Sequence, residues 1–450
     1  MRMRKLGFVL IGLFIIFTSE TSASDETQYN HVFTIESPFP ENHGWFGYQV
    51  ELSNGIIAIG APYANTEYEE AGKIFLYDLE GKLVATIESP TSQYNDQFGY
   101  NLDLSDNRLI SGELSDVESL RLAGRAHIFA DTGELLFSKT SPVLKAGAYF
   151  GHNGVAINNE IILIQDYNAK TTPGMAGLVH IYDGEGNYLG NLTSPNPILG
   201  GRFGKKIKLS DEIILIAEYG TQYDNRPMGP GSVYAFNYSL NHLFTMQAPE
   251  TEVSACFGAS ISVSDEYIVI GESWATVDNE TKAGRAYIYD VNGEYLHTLE
   301  SPNPKTSGEF GDSVSISGNI IVIGEWDADV NPDQYEGRAY VYDTEGNLLQ
   351  NLTSPEPCPR AAFGLDLDID GDYIVVGESW AASGELGQVG RVHVFKLGAP
   401  VESQESVEET TTETEEPESE TDTGGGIPGF PVLAILSALV ICYFRRKWMV

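Results

Sequence analysis

The chain has 450 residues, with 64 Asp and Glu against 26 Lys and Arg, a formal net charge of -38 and only 3 Cys. Three cysteines exclude a disulfide-stapled scaffold. So acidic a balance excludes a nucleic-acid partner, because phosphates are held by clustered Lys and Arg, while 42% hydrophobic and 20% charged residues make a globular composition.

The first element reads as an export signal. Arg2, Arg4 and Lys5 precede the apolar run Leu6 to Phe17, and Ser22-Ala23-Ser24 offers the small residues at which a signal peptidase cuts. About 12 apolar residues are too few to span hydrocarbon comfortably, so residues 1–23 are assigned to a signal peptide rather than an anchor.

A long repeat follows. Phe-Gly recurs at Phe46, Phe98, Phe150, Phe203, Phe257, Phe310 and Phe363, at spacings of 52 to 54 residues. A glycine that opens a β-branched and aromatic run keeps step at Gly72, Gly124, Gly177, Gly231, Gly284, Gly337 and Gly390. Ser-Pro does the same at Ser37, Ser89, Ser141, Ser194, Ser301 and Ser354, with Ala248-Pro249 in the remaining copy. In the sixth copy, Phe310 to Ser317 alternates with period two, Gly318-Asn319 turns the chain, and Ile320 to Ile323 is continuously apolar, which makes a hairpin. The run after Gly337 and the segment Asn347 to Leu352 supply two further strands. Seven copies of four strands without helical periodicity predict an all-β, seven-bladed β-propeller over residues 24–400. The last copy has only three strands and stops at Phe395, whereas His31 to Pro38 matches the fourth-strand text Leu83 to Pro90. The N-terminal segment is therefore expected to complete the seventh blade and remove the open edge of the ring.

Phe46-Gly47, the run Ile57 to Pro62 and the seven phased landmarks give residues 31–397 a resemblance to the FG-GAP repeats of integrin α-subunit propellers. The resemblance implies a propeller used for extracellular protein or ligand recognition, often with calcium. Gly-Ala-Pro is literal only at Gly60-Ala61-Pro62 and drifts to Gly-Glu-Ser at Gly271 and Gly377.

Calcium loops of that family place Asp or Asn at alternate positions of a blade's first hairpin. Asp366, Asp368, Asp370 and Asp372 around Gly371 approach this pattern and are the candidate calcium ligands, although the expected ninth-position acid is Ile374. Period-two alternation equally makes Asp366, Asp368 and Asp370 one polar strand face, equivalent to Ser313, Ser315 and Ser317, and this second reading is favoured. Asp327, Asp329, Asn331 and Asp333 also alternate, but Pro332 stands where a calcium loop needs Gly.

One acid follows the second strand in six copies: Glu113, Asp166, Glu218, Glu272, Glu325 and Glu378. In a ring these positions would gather at the loop-rich face as a site for a cation or a basic partner. The competing and favoured reading pairs them across strands with Arg125, Arg285, Arg338 and Arg391, which open the next strand. Tyr63, Tyr167, Tyr219, Trp274, Trp326 and Trp380 lie beside the acids, in chemistry suited to sugar stacking, to a protein hot spot, or to packing between blades. Ser273 and Ser379 sit in Gly-Glu-Ser-Trp with no helix after it, which is not a nucleophile elbow. His127, His180 and His393 share a strand position with Phe75 and Tyr340 and are read as packing residues, and Cys256 and Cys358 fall in nonadjacent blades, so no disulfide is assumed. Sequons at Asn191, Asn237, Asn279 and Asn351 are compatible with an exported glycoprotein.

Residues 401–426, dominated by Glu, Thr and Ser and ending in three Gly, have nothing to bury and read as an extended stalk. Ile427 to Phe444 is apolar and stops at Arg445-Arg446-Lys447, so residues 427–450 read as a membrane anchor with its basic end inside and the rest of the chain outside. The order of stalk, Pro428-Gly429-Phe430, short apolar helix and basic end resembles the PGF-type C-terminal sorting signal of archaeal surface proteins. That resemblance implies removal of the helix by an archaeosortase and attachment of a lipid; a permanent transmembrane helix is the other outcome.

The combined expectation is a non-enzymatic adhesion or binding module, anchored at the outer cell surface, that recognises an extracellular protein or glycan through the long-loop face of the propeller. A structural cell-envelope component without a discrete ligand is the alternative. A propeller enzyme would need a catalytic set that the sequence does not display.

Overall fold

The computed structural model describes residues 28–169, 176–198, 200–218, 230–328 and 335–398. The expected signal peptide, stalk and anchor, together with Tyr219, Asp329, Asn331 and Asp333, lie outside these residues. Among the described residues all 28 regular elements are strands, and no helix is long and apolar enough to cross a membrane.

Each strand's burial follows from its place in a blade. Second strands such as Ile320–Glu325 and third strands such as Arg338–Asp343 are buried along almost their whole length, because neighbouring blades cover both of their faces. This is why their text is continuously β-branched and aromatic rather than alternating. Fourth strands such as Leu348–Leu352 form the circumference and bury only their last apolar residue.

Six sheets pair their four strands antiparallel in chain order, beginning at Gln49, Leu102, Val155, Ile207, Phe257 and Val314. These are blades 1 to 6. The seventh sheet takes Phe363–Asp370, Tyr373–Glu378 and Arg391–Leu397 and completes itself with the N-terminal strand Tyr29–Glu36, in a register running from Tyr29 opposite Leu397 to Glu36 opposite Arg391. The expected ring closure is therefore present, with a bulge between His31 and Phe33. Gln350 of blade 6 accepts from the Tyr29 N–H and donates to its carbonyl, both at 2.8 Å, fastening the closing strand to a second blade.

The described residues form seven apolar clusters, each between two neighbouring blades, and the phenylalanine of each Phe-Gly sits fully buried in one of them. The backbone explains why two landmarks keep step along the chain. Phe363 N–H donates to the Glu336 carbonyl at 3.0 Å, and Phe310 N–H to the Ala283 carbonyl at 2.9 Å, each beside the later glycine of the preceding blade. Gly337 has φ 85°, and a Cβ there would lie 2.2 Å from the Phe363 carbonyl oxygen, so only glycine allows the contact.

The first strands line an axial channel, where each would present unpaired edge N–H groups. Side chains of the previous blade satisfy them. Asp366 and Asp368 accept from Val50 and Leu52 N–H at 2.7 Å, Asp103 accepts from Ile157 N–H at 2.8 Å, and Ser262 accepts from Ile316 N–H at 3.1 Å.

Candidate functional site

The six acids after the second strands do not form an exposed ring. Glu113, Glu272, Glu325 and Glu378 are fully buried, and Asp166 and Glu218 nearly so, in the walls between blades. The Ser-Pro serine of the preceding blade covers several of them: Ser141 donates to Asp166 and Ser301 to Glu325, each at 3.1 Å, and Ser194 donates to Glu218. The third strand supplies the other partner. Tyr287 and Tyr340 donate to Glu272 and Glu325 at 2.6 Å, while the ring nitrogens of His127 and His393 lie 3.3 and 2.8 Å from Glu113 and Glu378. The expected cross-strand pairing with arginine is made by Arg391 to Glu378, but Arg285 turns away to Glu300 at 2.9 Å. Glu113, Asp166, Glu218 and Glu325 thus tie neighbouring blades together, whereas Glu272 and Glu378 are bonded from their own blade. Ser273 and Ser379 are buried beside them.

Burial disfavours a charged carboxyl unless hydrogen bonds offset it. It pushes Glu272 up to about 7 against the Tyr287 hydroxyl, and raises Glu325 and Glu218. At Glu113 burial is outweighed by His127, Ser89 and Thr91, which together hold its carboxyl below the usual range. Burial likewise lifts Asp96, Glu309 and Asp366 to about 7. Carboxyls raised in this way hold protons more readily folded than unfolded, so their stabilisation is complete below the unfolded range near ~4 and is lost as pH rises through about 7. The melting temperature is expected to be higher at about pH 5.5 than at about pH 8, by ~3 °C or more. A Tm that is flat or rises over that interval contradicts the assignment.

The candidate calcium ligands do not converge. Asp366 and Asp368 turn their oxygens to the blade 1 backbone, Asp370 accepts from Asn54 N–H at 3.2 Å, and Asp372 is exposed at the following turn. Among the described residues no group of three or more His, Cys, Asp or Glu is arranged to hold a metal ion. The alternating aspartates are the polar strand face that the Ser313, Ser315 and Ser317 equivalence implies: Ser315 and Ser317 accept from Ile369 and Gly371 N–H at 3.3 and 3.1 Å.

The face that carries the loops between second and third strands is aromatic. Trp326 and Trp380 meet with ring centroids 5.3 Å apart, Trp380 lies 5.9 Å from Trp45, and Trp45 lies 4.6 Å from Tyr63 and 5.6 Å from Tyr48. The series continues through Tyr48 and Tyr100 at 4.9 Å to Tyr100 stacked on His152 at 4.5 Å. One arc of rings thus runs over blades 6, 7, 1, 2 and 3. Trp274 stands apart, packed on the cluster between blades 4 and 5 with the Lys282 ammonium 4.0 Å over its ring. Trp45, Tyr48 and Tyr100 were not singled out from the sequence; their signal is the aromatic residue next to Phe-Gly in the first two copies.

The arc ends at the channel mouth, a cavity of about 210 Å³ bounded by Tyr48, Tyr100, Asn153, Lys206, Asp312 and Asp366. Deeper down, the channel narrows to about 50 Å³. There Lys208 of blade 4 crosses the axis to Glu51 of blade 1 at 3.1 Å and Asp103 of blade 2 at 3.0 Å. Lys205, Lys206 and Lys208 are all in blade 4, where other copies carry Tyr48, Gln49 and Glu51 or Asp312, Ser313 and Ser315. This break in the repeat was the available sign of the strut.

The four sequon asparagines differ in setting. Asn191 and Asn351 are exposed on fourth strands, Asn279 is exposed in a loop, and Asn237 is half-buried at a strand end, where it accepts from Asn241 N–H at 3.0 Å. Cys256 and Cys358 are free thiols.

The fold defines the class: a seven-bladed β-propeller of four-stranded antiparallel blades. The sequence model of the FG-GAP repeat family matches residues 298–342, which run from the fourth strand of blade 5 to the third strand of blade 6. No curated protein matches the chain in sequence. Among solved structures, the Neurospora crassa Pan2 WD40 domain is similar at 12% identity and a TM-score of 0.51, over 84% of this chain and 98% of that one. The Dos1 propeller is similar at 15% identity and a TM-score of 0.44, over 77% and 75%.

Proposed function

We propose that this protein is a recognition module held at the outer cell surface, binding an extracellular protein or glycan through the loop-bearing face of its propeller. The observation that carries the reading is the arc from Trp326 through Trp380, Trp45, Tyr48 and Tyr100 to His152. His152 is buried beneath Tyr100, but the three tryptophans and two tyrosines are part exposed, and aromatic groups so placed favour sugar rings and protein anchors alike. The export signal and the anchor read in the sequence of residues 1–23 and 427–450 support a location outside the cell. In a binding screen of the full-length protein against glycans and cell-surface proteins, the Trp45→Ala, Trp326→Ala, Trp380→Ala variant is expected to lose at least ~10-fold in affinity while its circular dichroism stays that of the wild type. Undiminished binding by the folded variant would sink the reading.

The second reading, a structural envelope component, draws on the circumference. Exposed apolar pairs recur there at Leu83-Val84, Leu135-Leu136, Tyr188-Leu189, Tyr295-Leu296 and Leu348-Leu349. Repeated lateral patches of this kind suit contacts within a surface layer. Concentration-dependent assembly, with no ligand found in the screen, would favour it.

A further inference from the structure

The strut across the channel brings one amine against two carboxyls in unlike settings. Lys208 Nζ of blade 4 lies 3.0 Å from Asp103 Oδ1 of blade 2 and 3.1 Å from each carboxylate oxygen of Glu51 of blade 1. Asp103 is held from both sides, because its other oxygen, Oδ2, accepts from the Ile157 N–H of blade 3 at 2.8 Å. Glu51 turns both of its oxygens to the ammonium instead. A third acid of the channel, Asp368, is taken up by the Leu52 N–H at 2.7 Å and the Ser315 hydroxyl at 2.6 Å. The channel here holds about 50 Å³, room for only a few water molecules.

This arrangement can do more than pair charges. An N–H aimed at Asp103 Oδ2 stabilises negative charge that gathers on that oxygen when the carboxyl carbon is attacked. Although burial works against its charge, Glu51 and Asp103 hold the Lys208 ammonium well above the usual lysine range, so it must pass on a proton before it can attack. Glu51 is in reach to take it, and burial lifts the Glu51 carboxyl well above the usual carboxylate range. Two carboxyls beside one amine thus divide the roles of electrophile and base by their surroundings. Groups fixed in contact react as if at concentrations of ~10⁵ M or more, which offsets the preference of separate ions over an amide in water.

We propose that Lys208 and Asp103 join in an isopeptide bond, with Glu51 as the catalytic proton carrier, so that blades 4 and 2 are covalently bridged across the channel. Glu51 takes a proton from the Lys208 ammonium. The neutral amine attacks Cγ of Asp103 and forms the C–N bond, while the Ile157 N–H steadies the charge on Oδ2. Glu51 hands its proton to Oδ1, then carries a second one from the attacking nitrogen to the same oxygen. The Cγ–Oδ1 bond breaks and Oδ1 leaves as water. The sum is one ammonium and one carboxylate giving one amide and one water, with Glu51 returned to its starting form. The bond closes a stretch of 105 positions and, unlike an ion pair, is not screened by salt. It uses no residue of the aromatic arc, so it stands or falls separately from recognition on the loop-bearing face.

The test is tryptic peptide mapping of the unfolded full-length protein by mass spectrometry. The wild type is expected to resist cleavage after Lys208 and to yield a branched peptide in which the Lys208 and Asp103 segments are joined with the loss of one water. Glu51→Gln keeps a polar side chain in the channel but cannot take the proton. It is expected to give the two segments as separate peptides of full mass, with the circular dichroism of the wild type. The wild-type map needs no variant and decides the bond by itself: separate peptides of full mass overturn the proposal. A branch from Lys208 to Glu51 overturns the division of roles between the two acids, and a bond formed undiminished in Glu51→Gln overturns the role of Glu51.

Discussion

Deleting residues 28–37 is expected to abolish the cooperative stability of the propeller. The deletion removes Tyr29 and Ile35, both almost fully buried, and strips seven paired positions from Arg391–Leu397. It also exposes that strand as a new edge and cuts the two hydrogen bonds that tie Tyr29 to Gln350 of blade 6. Two buried side chains at ~1.5 to 3 kcal/mol each already total about 5 kcal/mol, a large part of the net stability of most folded domains. The expected readout is a Tm lowered by more than ~10 °C, with aggregation through the freed edge. A synthetic peptide covering residues 28–38 should restore much of the loss when added in trans. A truncated protein melting within about 2 °C of the intact one would mean that the ring does not depend on closure.

The second large effect concerns the contact between Phe-Gly and the later glycine. Phe363 is fully buried in the cluster between blades 6 and 7, so Phe363→Ala is expected to cost about 3 to 5 kcal/mol. Gly337→Val adds no cavity, yet places a β-branched side chain at φ 85° with its Cβ 2.2 Å from the Phe363 carbonyl oxygen. It is expected to destabilise at least as strongly. The control is Gly318→Ala, at a turn where φ is 55° and a Cβ would meet nothing within 4 Å; it should cost no more than about 1 to 2 kcal/mol. Chemical denaturation of the three variants orders them. If Gly337→Val proved as mild as Gly318→Ala, the close approach of the blades at this point would be refuted.

The architecture was legible because its signals are periodic. Seven buried phenylalanines recur at nearly constant spacing, and each packs in an equivalent place, so the sequence displays the blade as many times as the fold uses it. The closing strand was legible for the same reason, since His31 to Pro38 repeats the text of Leu83 to Pro90. The site was legible only in part. Glu325 was visible as a recurring acid and Ser301 as a recurring Ser-Pro, but their contact joins residues of neighbouring copies, and repetition within a copy carries no sign of it. The acids offered a surface ring or, as favoured, cross-strand pairs with arginine; they are buried between blades, with Glu378 keeping its pair with Arg391 and Arg285 turning to Glu300 instead. Lys208 was invisible for the opposite reason: its strut to Glu51 and Asp103 occurs once, and a reading built on what repeats passes over it. The meeting of Trp45 with Trp380 required the ring itself, because only closure brings the first copy beside the last.

The most direct test of recognition on the loop-bearing face is hydrogen–deuterium exchange of the full-length protein with and without a glycan or surface protein found in the screen. Slowed exchange is expected at residues 45–48, 98–102 and 150–154 and in the loop segments around Trp326 and Trp380, with the first hairpins around Asn54 and Asp370 on the opposite face unchanged. Protection confined to those opposite hairpins, or to the circumferential strands alone, would contradict it.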